Sequence, residues 1–503
     1  MNDSNGRLRR ELGLLELVGV GVGGIVGSGI FMMPAAVAAE SGPLSLVAWA
    51  IAGAAMTIIA LTYAELGSTY PLTGGPYYFP RRAFGELIGF VVGWGYWVSC
   101  FVAVAAVTNA FINYLSFLVP GLAVGMKLTP LGLLAGVATI WLLTLLNVAG
   151  VKWGGLYAVV TTVLKVLPLL AFCILGLASL NAQNFLNVPP NWARGIGLGI
   201  ALSVWAYMGF EDVTIPSEEV RRPKKDIPRS VIAIMATVTI VYLLVSAAFL
   251  GLIRWSELGF KEFSWSSLYN LSSPLSDVAS AAGLEALSIA ILIGAVISTG
   301  GCAGVWILGS GRIAFAMARD QLLPRFMSGI HTKFGTPHVG LIISSILSTV
   351  TLLAIPFFPA VALVGTLTAI IPYALAALSL VVLRGEEVSR PFKLPAYKLL
   401  SFIGFAFATY IAYWSCWPWT LIGLLLIALG LPVYTSLRGF KGFKESYWLW
   451  IYLVGIALIS LTGDPYFEYE NPLPISVLGL LPYPLDLLAC TLLSVVIFYL
   501  ATR

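Results

Sequence analysis

The segment GGIVGSGIF, Gly23 to Phe31, lies inside an apolar stretch that runs from Leu14 to Val37. Glycine costs about 0.8–1 kcal/mol relative to alanine in a helix interior, yet the stretch also holds Gly19 and Gly21 beside Gly23, Gly24, Gly27 and Gly29. In a membrane-crossing helix such a density serves either close packing between helices or an interruption. An interruption frees backbone N–H and C=O groups that cannot stay bare in lipid, so the break must face a cavity where ligand or water satisfies them. N–H groups that open a half-helix attract a carboxylate, and carbonyls that close the other half attract a cation. An amino acid zwitterion carries both charges close together.

A second stretch repeats the oddity. Gly195, Gly197 and Gly199 open it, and SVWAYMGFED, Ser203 to Asp212, then sets a glycine and two adjacent carboxylates in an otherwise apolar run. Counting apolar stretches long enough to cross a bilayer, about 20 residues each, this is the sixth. Interrupted segments at the head of two successive sets of five point to an inverted-repeat transporter with its site at the breaks. Five is odd, so the second set must cross in the opposite sense.

Composition agrees with a polytopic membrane protein: 59% of the 503 residues are hydrophobic and 10% charged. Fourteen candidate spans run 14–38, 44–66, 86–118, 130–149, 156–179, 194–217, 229–253, 283–318, 337–355, 359–383, 398–416, 418–437, 446–462 and 483–501. Threading Lys and Arg through them puts twenty-three on one side, expected to be cytoplasmic, and four (Lys127, Arg194, Arg254, Lys261) on the other, with Lys165 inside a span. Both termini are therefore expected in the cytoplasm. No small-residue cleavage site follows the first stretch, so no signal peptide is read. The net charge of +5 is read as orientation signal rather than nucleic-acid affinity. Cys100, Cys173, Cys302, Cys416 and Cys490 lie in apolar stretches without metal-site spacing, and the only histidines are His331 and His338. No metal, cofactor or catalytic cluster is expected, and the chain is not read as an enzyme.

Four motifs, VGGIVGSGIFMMP from Val22, TGGPYYFPRRAFGELIGF from Thr73, SVWAYMGFEDVTIPSEEVRRPKKDIPRS from Ser203 and GGCAGVWILGSGRIAFAMARDQLLP from Gly300, resemble the amino acid, polyamine and organocation (APC) superfamily. The closest resemblance is to L-type and arginine/agmatine-type exchangers and to cationic permeases. It implies an all-α leucine-transporter-type fold: a 5+5 inverted repeat with helices 1 and 6 broken. The expected division is a cytoplasmic segment 1–13, a ten-helix core 14–385 (repeats 14–180 and 194–385), and four added helices in 386–503. The usual count in the family is twelve, so the thirteenth and fourteenth spans depart from it.

By position, Ser28 and Gly29 resemble the donors that hold a substrate carboxylate, and the carbonyls of Ile25, Trp205 and Met208 those that hold its amino group. Trp205 resembles the aromatic gate of the sixth span, and Trp306 the eighth-span tryptophan that stacks on a cationic side chain. Tyr77, Tyr96 and Tyr373 align with tyrosines lining the pathway or its gates, and Glu211 with a proton-sensing carboxylate. Val104 and Gly365 stand where the arginine/agmatine exchanger has asparagine and serine, which weighs against arginine as substrate.

Lys165, in YAVVTTVLKVLPLLAF, is too deep to reach either interface, and an ionisable residue at such depth is a candidate functional group. It resembles the fifth-span lysine of proton-coupled permeases, which occupies the place of a sodium ion, with Ser298 and Thr299 expected beside it. Glu16 and Glu65 lie near span ends and read as ordinary interfacial carboxylates; Glu218, Glu219 and the basic run Arg221 to Lys225, most often a solvated loop, read as orientation signal with inner-gate ion pairing. The expectation is a secondary active amino acid transporter in the plasma membrane, taking up substrate with protons by alternating access around Gly27–Gly29 and Tyr207–Gly209. The alternatives are an exchanger, a polyamine transporter or a non-transporting sensor.

Overall fold

The computed structural model describes residues 13–71, 75–149, 154–214 and 220–503. The segment 1–12, Lys152, Glu218 and Glu219 lie outside the described residues, as does the side chain of Asp212. The helices are α1 (Leu14–Ile25), α2 (Ser28–Ser41), α3 (Ser45–Thr69), α4 (Gly75–Phe84), α5 (Glu86–Leu115), α6 (Pro130–Ala149), α7 (Gly154–Ala178), α8 (Trp192–Tyr207) and α9 (Pro223–Leu252). They continue with α10 (Pro274–Ala281), α11 (Glu285–Arg319), α12 (His338–Ala354), α13 (Phe358–Leu383), α14 (Tyr397–Trp414), α15 (Trp419–Ala428), α16 (Gly430–Arg438), α17 (Tyr447–Thr462) and α18 (Leu485–Ala501). Among the described residues the sheet content is one short hairpin, Ala123–Val124 against Lys127–Leu128.

Each candidate span overlaps one helix or two, the sixth (194–217) through α8 and a 3₁₀ turn in its described part. Among the described residues seven helical segments are long and apolar enough to cross a membrane: Ser28–Thr69, Glu86–Leu115, Pro130–Ala149, Pro223–Leu252, Glu285–Arg319, Phe358–Leu383 and Trp419–Arg438. The segment 418–437, expected as one helix, divides at Leu429 into α15 and α16. A protein of this kind is a polytopic helical membrane protein.

α5 and α13 are apolar all round and almost wholly buried, which makes them the centre of the bundle. α6 shows the periphery. Gly132, Gly136, Ile140, Thr144 and Asn147 recur at helical spacing on its buried face, while Leu131, Leu134, Leu142, Leu145 and Leu146 point outward. Small and polar residues face protein and leucines face outward, the pattern of a helix immersed in lipid. Asn147 donates to the Gly304 carbonyl at 3.3 Å, and the Thr144 and Ser345 hydroxyls meet at 2.6 Å.

Each end of the bundle is tied by polar contacts. At one end α4, which falls between the second and third candidate spans, lies across the helix ends: Arg81 pairs with Asp320 at 2.8 Å and Arg82 with Glu386 at 3.0 Å. Tyr77 donates to Asp320 at 2.7 Å. Beside them Glu65, read from sequence as an ordinary interfacial carboxylate, is fully buried. It accepts from Arg384 Nε at 2.5 Å and Nη2 at 2.6 Å, from Arg390 at 3.4 Å and from the Leu394 N–H at 2.6 Å, so α3 is locked to the segment after α13. The other end is held by the loop after α17. Its Tyr466 donates to Glu40 of α2 at 3.1 Å, Tyr269 donates to the same carboxylate at 2.9 Å, and Asp464 pairs with Arg194 of α8 at 3.0 Å. One short strap, residues 464–466, thereby holds the C-terminal end of α2 and the N-terminal end of α8.

Candidate substrate site at two helix breaks

The first apolar stretch is interrupted at Val26–Gly27, between α1 and α2. Gly19, Gly21, Gly23 and Gly24 remain helical, and several glycines serve close packing rather than the break itself. A Cβ on Gly21 would collide with Ile234 of α9, and one on Gly29 with the backbone of Ala206 in α8. The second interruption is at Met208–Gly209, after which Phe210–Val213 forms a single 3₁₀ turn. Gly209 has φ +108°, a conformation L side chains rarely adopt, and lies against the Gly24–Ile25 backbone. The two breaks therefore meet.

The freed groups are accounted for in turn. The Gly23 carbonyl accepts from the Lys165 ammonium of α7, and the Gly24 carbonyl faces the Cys302 thiol at 3.8 Å. The Ile25 carbonyl accepts from the Gly27 N–H at 2.8 Å, and the Val26 carbonyl from Ser298 at 3.0 Å. Tyr242 of α9 places its hydroxyl 3.1 Å from the Ile25 carbonyl and 3.0 Å from that of Ala206, joining the two breaks through one oxygen. The first-turn N–H groups of α2 have no acceptor within their helix, and the cap residue Gly27 has no side chain to provide one. They open at Ser28 and Gly29 onto a cavity.

The cavity is walled by Gly24, Ile25, Gly27, Ser28 and Gly29 from the first break, by Trp205 and Met208 from the second, and by Val107, Cys302 and Trp306 from α5 and α11. Its free space is about 20 Å³ for the centre of a water-sized sphere, room for roughly one water. The Trp205 indole N–H donates to Ser28 Oγ at 3.3 Å, and its ring lies where a Cβ on Gly365 would be. The glycine at 365 thus has a physical reason: it admits the indole. Cys302 and Trp306 are four residues apart on one helix and share a face.

Of the other residues singled out from sequence, Glu211 is fully buried just past the second break. It accepts from Tyr373 at 2.6 Å, from Tyr96 at 3.3 Å and from the Gly209 N–H at 3.1 Å. Tyr96 therefore sits on Glu211 and does not line the cavity. Thr299 donates to Ala295 within its own helix at 2.6 Å, whereas Ser298 reaches the break. Tyr77 lies at the Arg81 end, on Asp320; burial and that acceptor hold its phenol above the usual range. Val104 is buried in α5 outside the cavity wall. Sequence reading missed Tyr242, Val107 and Cys302. Cys302 was within reach, one turn before Trp306 in a motif already singled out; Tyr242 and Val107 carry no mark that separates them from neighbouring apolar residues.

A membrane-embedded helical bundle with a small backbone-lined cavity at two helix breaks has the construction of a carrier for small solutes. The chain belongs to the amino acid permease family, whose model matches residues 12–459. It is 27% identical to the glutamate/serine transporter AimA of Bacillus subtilis (strain 168), over 99% of this chain and 94% of the relative. Identity is also 27% to the aspartate-proton symporter of that organism, over 99% of this chain and 96% of the relative. To its serine/threonine exchanger SteT it is again 27%, over 87% and 99%. The family and these relatives are transporters, not enzymes, and the APC resemblance read from the motifs agrees with them.

Proposed function

We propose that this protein is a secondary active amino acid transporter of the plasma membrane that takes up substrate together with protons, by alternating access around Gly27–Gly29 and Tyr207–Gly209. In this reading the bundle has a leucine-transporter-type core, repeats 14–180 and 194–385, within about fourteen crossings. Both termini are cytoplasmic, so the Arg81 end faces inward and the Glu40 strap outward. The observation that carries the coupling is the Lys165 ammonium on the Gly23 carbonyl, with Ser298 on the Val26 carbonyl beside it. A cation from α7 thereby ties the first break to its surroundings through a charge-assisted hydrogen bond. Deprotonation removes that tie and lets α1 move.

The substrate carboxylate takes the N–H groups at Ser28 and Gly29, where the α2 N-terminus favours an anion. Its ammonium takes the carbonyls of Ile25, Trp205 and Met208. Trp205 closes over the site with its N–H on Ser28. Glu211, between Tyr96, Tyr373 and Gly209, is a second proton-responsive group, and Tyr77 on Asp320 belongs to the inner gate.

Uptake of labelled amino acids into proteoliposomes, with and without an inward proton gradient, tests the proposal. Accumulation driven by the gradient is expected. Uptake that ignores the gradient and requires internal amino acid would replace symport with exchange, a second reading favoured by the similarity to SteT.

A further inference from the structure

We infer that the substrate is a small, uncharged amino acid of the glycine, alanine, serine and cysteine class, and that Val107 and Cys302 set the size limit. The inference rests on the transport reading and narrows it. Backbone groups at the two breaks account for the charges common to all amino acids, leaving the third wall to meet the side chain. That wall is Val107, Cys302 and Trp306, and among the described residues no charged side chain lines the cavity.

Two buried ionisable groups beside the breaks are engaged elsewhere: Lys165 on the Gly23 carbonyl, and Glu211 with Tyr373, Tyr96 and the Gly209 N–H. A substrate carboxylate or guanidinium would enter with no opposite charge, and an uncompensated buried charge is strongly unfavourable. The face of Trp306 attracts a cation, but it offers no carboxylate to complete the pairing.

Size points the same way. The free space holds roughly one water. Its walls have little slack: a Cβ built on Gly27 would lie 2.9 Å from Cys302 Sγ, and the Trp205 ring is set against Gly365 and held to Ser28 Oγ at 3.3 Å. The atoms common to all amino acids already exceed this space, so the walls part on binding, and a methyl or hydroxymethyl group adds least to that movement. An isobutyl or benzyl group requires Trp205 or Trp306 to leave.

The test uses the full chain in two formats. In proteoliposomes, initial uptake of labelled glycine, alanine, serine, leucine, phenylalanine, glutamate and arginine gives relative kcat/KM. In detergent, calorimetric binding of the same seven compounds reads specificity without movement. Alanine or serine is expected to exceed glutamate and arginine at least a hundredfold and leucine at least tenfold in both formats. Val107→Ala, which opens the wall by two methyl groups, is expected to raise leucine relative to alanine about tenfold, and Cys302→Ala to do so by less. Glutamate or arginine handled as well as alanine, or a leucine/alanine ratio that Val107→Ala leaves unchanged, would overturn the inference. Selective binding of alanine or serine without transport would uphold it while removing the transport reading. If none of the seven is bound or carried, both fall.

Discussion

Replacing Tyr242 with phenylalanine removes one hydroxyl and preserves the ring that packs on Trp49 and Tyr207. The consequence can be worked from its two acceptors. The Ile25 carbonyl keeps the Gly27 N–H at 2.8 Å, so it retains a partner. The Ala206 carbonyl lies in the last turn of α8, where no helical donor follows, and Tyr242 is its one hydrogen-bond donor among the described residues. The substitution thus leaves one buried carbonyl unsatisfied, at a cost of about 1–3 kcal/mol. Because Ile25 and Ala206 are held by the same oxygen, the loss also disorganises the place where a substrate ammonium binds.

If that free energy appears in binding, KM rises about 5- to 150-fold at 1.4 kcal/mol per decade, with kcat less affected. Initial-rate uptake of labelled alanine into proteoliposomes, paired with thermal melting of the same preparation in detergent, measures both effects. Tyr114→Phe is the control. Its hydroxyl donates to the Phe31 carbonyl at 2.6 Å, inside the continuous part of α2, so it is expected to lower melting with little change in KM. A Tyr242→Phe protein whose KM and melting both match the parent would refute the assignment of Tyr242 to the breaks.

Glu65→Gln removes the fully buried carboxylate that pairs with the part-buried Arg384 and Arg390, so a stability loss of about 3–5 kcal/mol is expected in detergent melting; a shift equivalent to under 1 kcal/mol would show that the arginines find other acceptors. Lys165→Ala is expected to abolish accumulation under an inward proton gradient while exchange of internal for external substrate persists; gradient-driven accumulation by this variant would remove the lysine from coupling. Burial pushes the carboxyl of Asp277 in α10 up to about 7, against the opposing pull of the Ser273 N–H at 2.9 Å. Relative to an unfolded aspartate near 3.9, a raised folded value means its contribution to stability is complete below about pH 4 and is lost as pH rises through about 7. Melting between pH 4 and 8 should therefore show a fall that Asp277→Asn flattens, and identical profiles would count against the buried carboxyl.

The parts of this architecture legible in the sequence were those that break a local rule. Glycines crowded into an apolar stretch, carboxylates after WAYMGF and a lone lysine in the fifth span each violate what lipid demands, and each stands at or beside a break. What could not be read was set by long-range packing. Tyr242 is a polar atom on an apolar helix face, and nothing near it in sequence says which carbonyls it meets. Glu65 was misread because distance from a span end gives depth along the membrane, not cover: Arg384 and Arg390 arrive from more than 300 residues away. α4 was missed because PYYFPRRAF carries two prolines and two arginines, a loop signal overridden by packing on α5 and α13. The glycines were legible as purposeful, but not which purpose: at Gly21 the Ile234 side chain needs the room and at Gly29 the Ala206 backbone does, and only the neighbouring helices reveal it.

The strap has a consequence for how the protein is made. Arg194 and Asp464 are 270 residues apart in the chain. At a synthesis rate of about 5–20 residues per second, the acid leaves the ribosome roughly 14–54 s after its partner. Over that interval the helices bearing both breaks are already in the membrane, while the segment that secures their outer ends does not yet exist. The carrier is therefore born unlatched, and a chain cut short after α17, before Asp464, would carry the cavity-lining residues without that fastening.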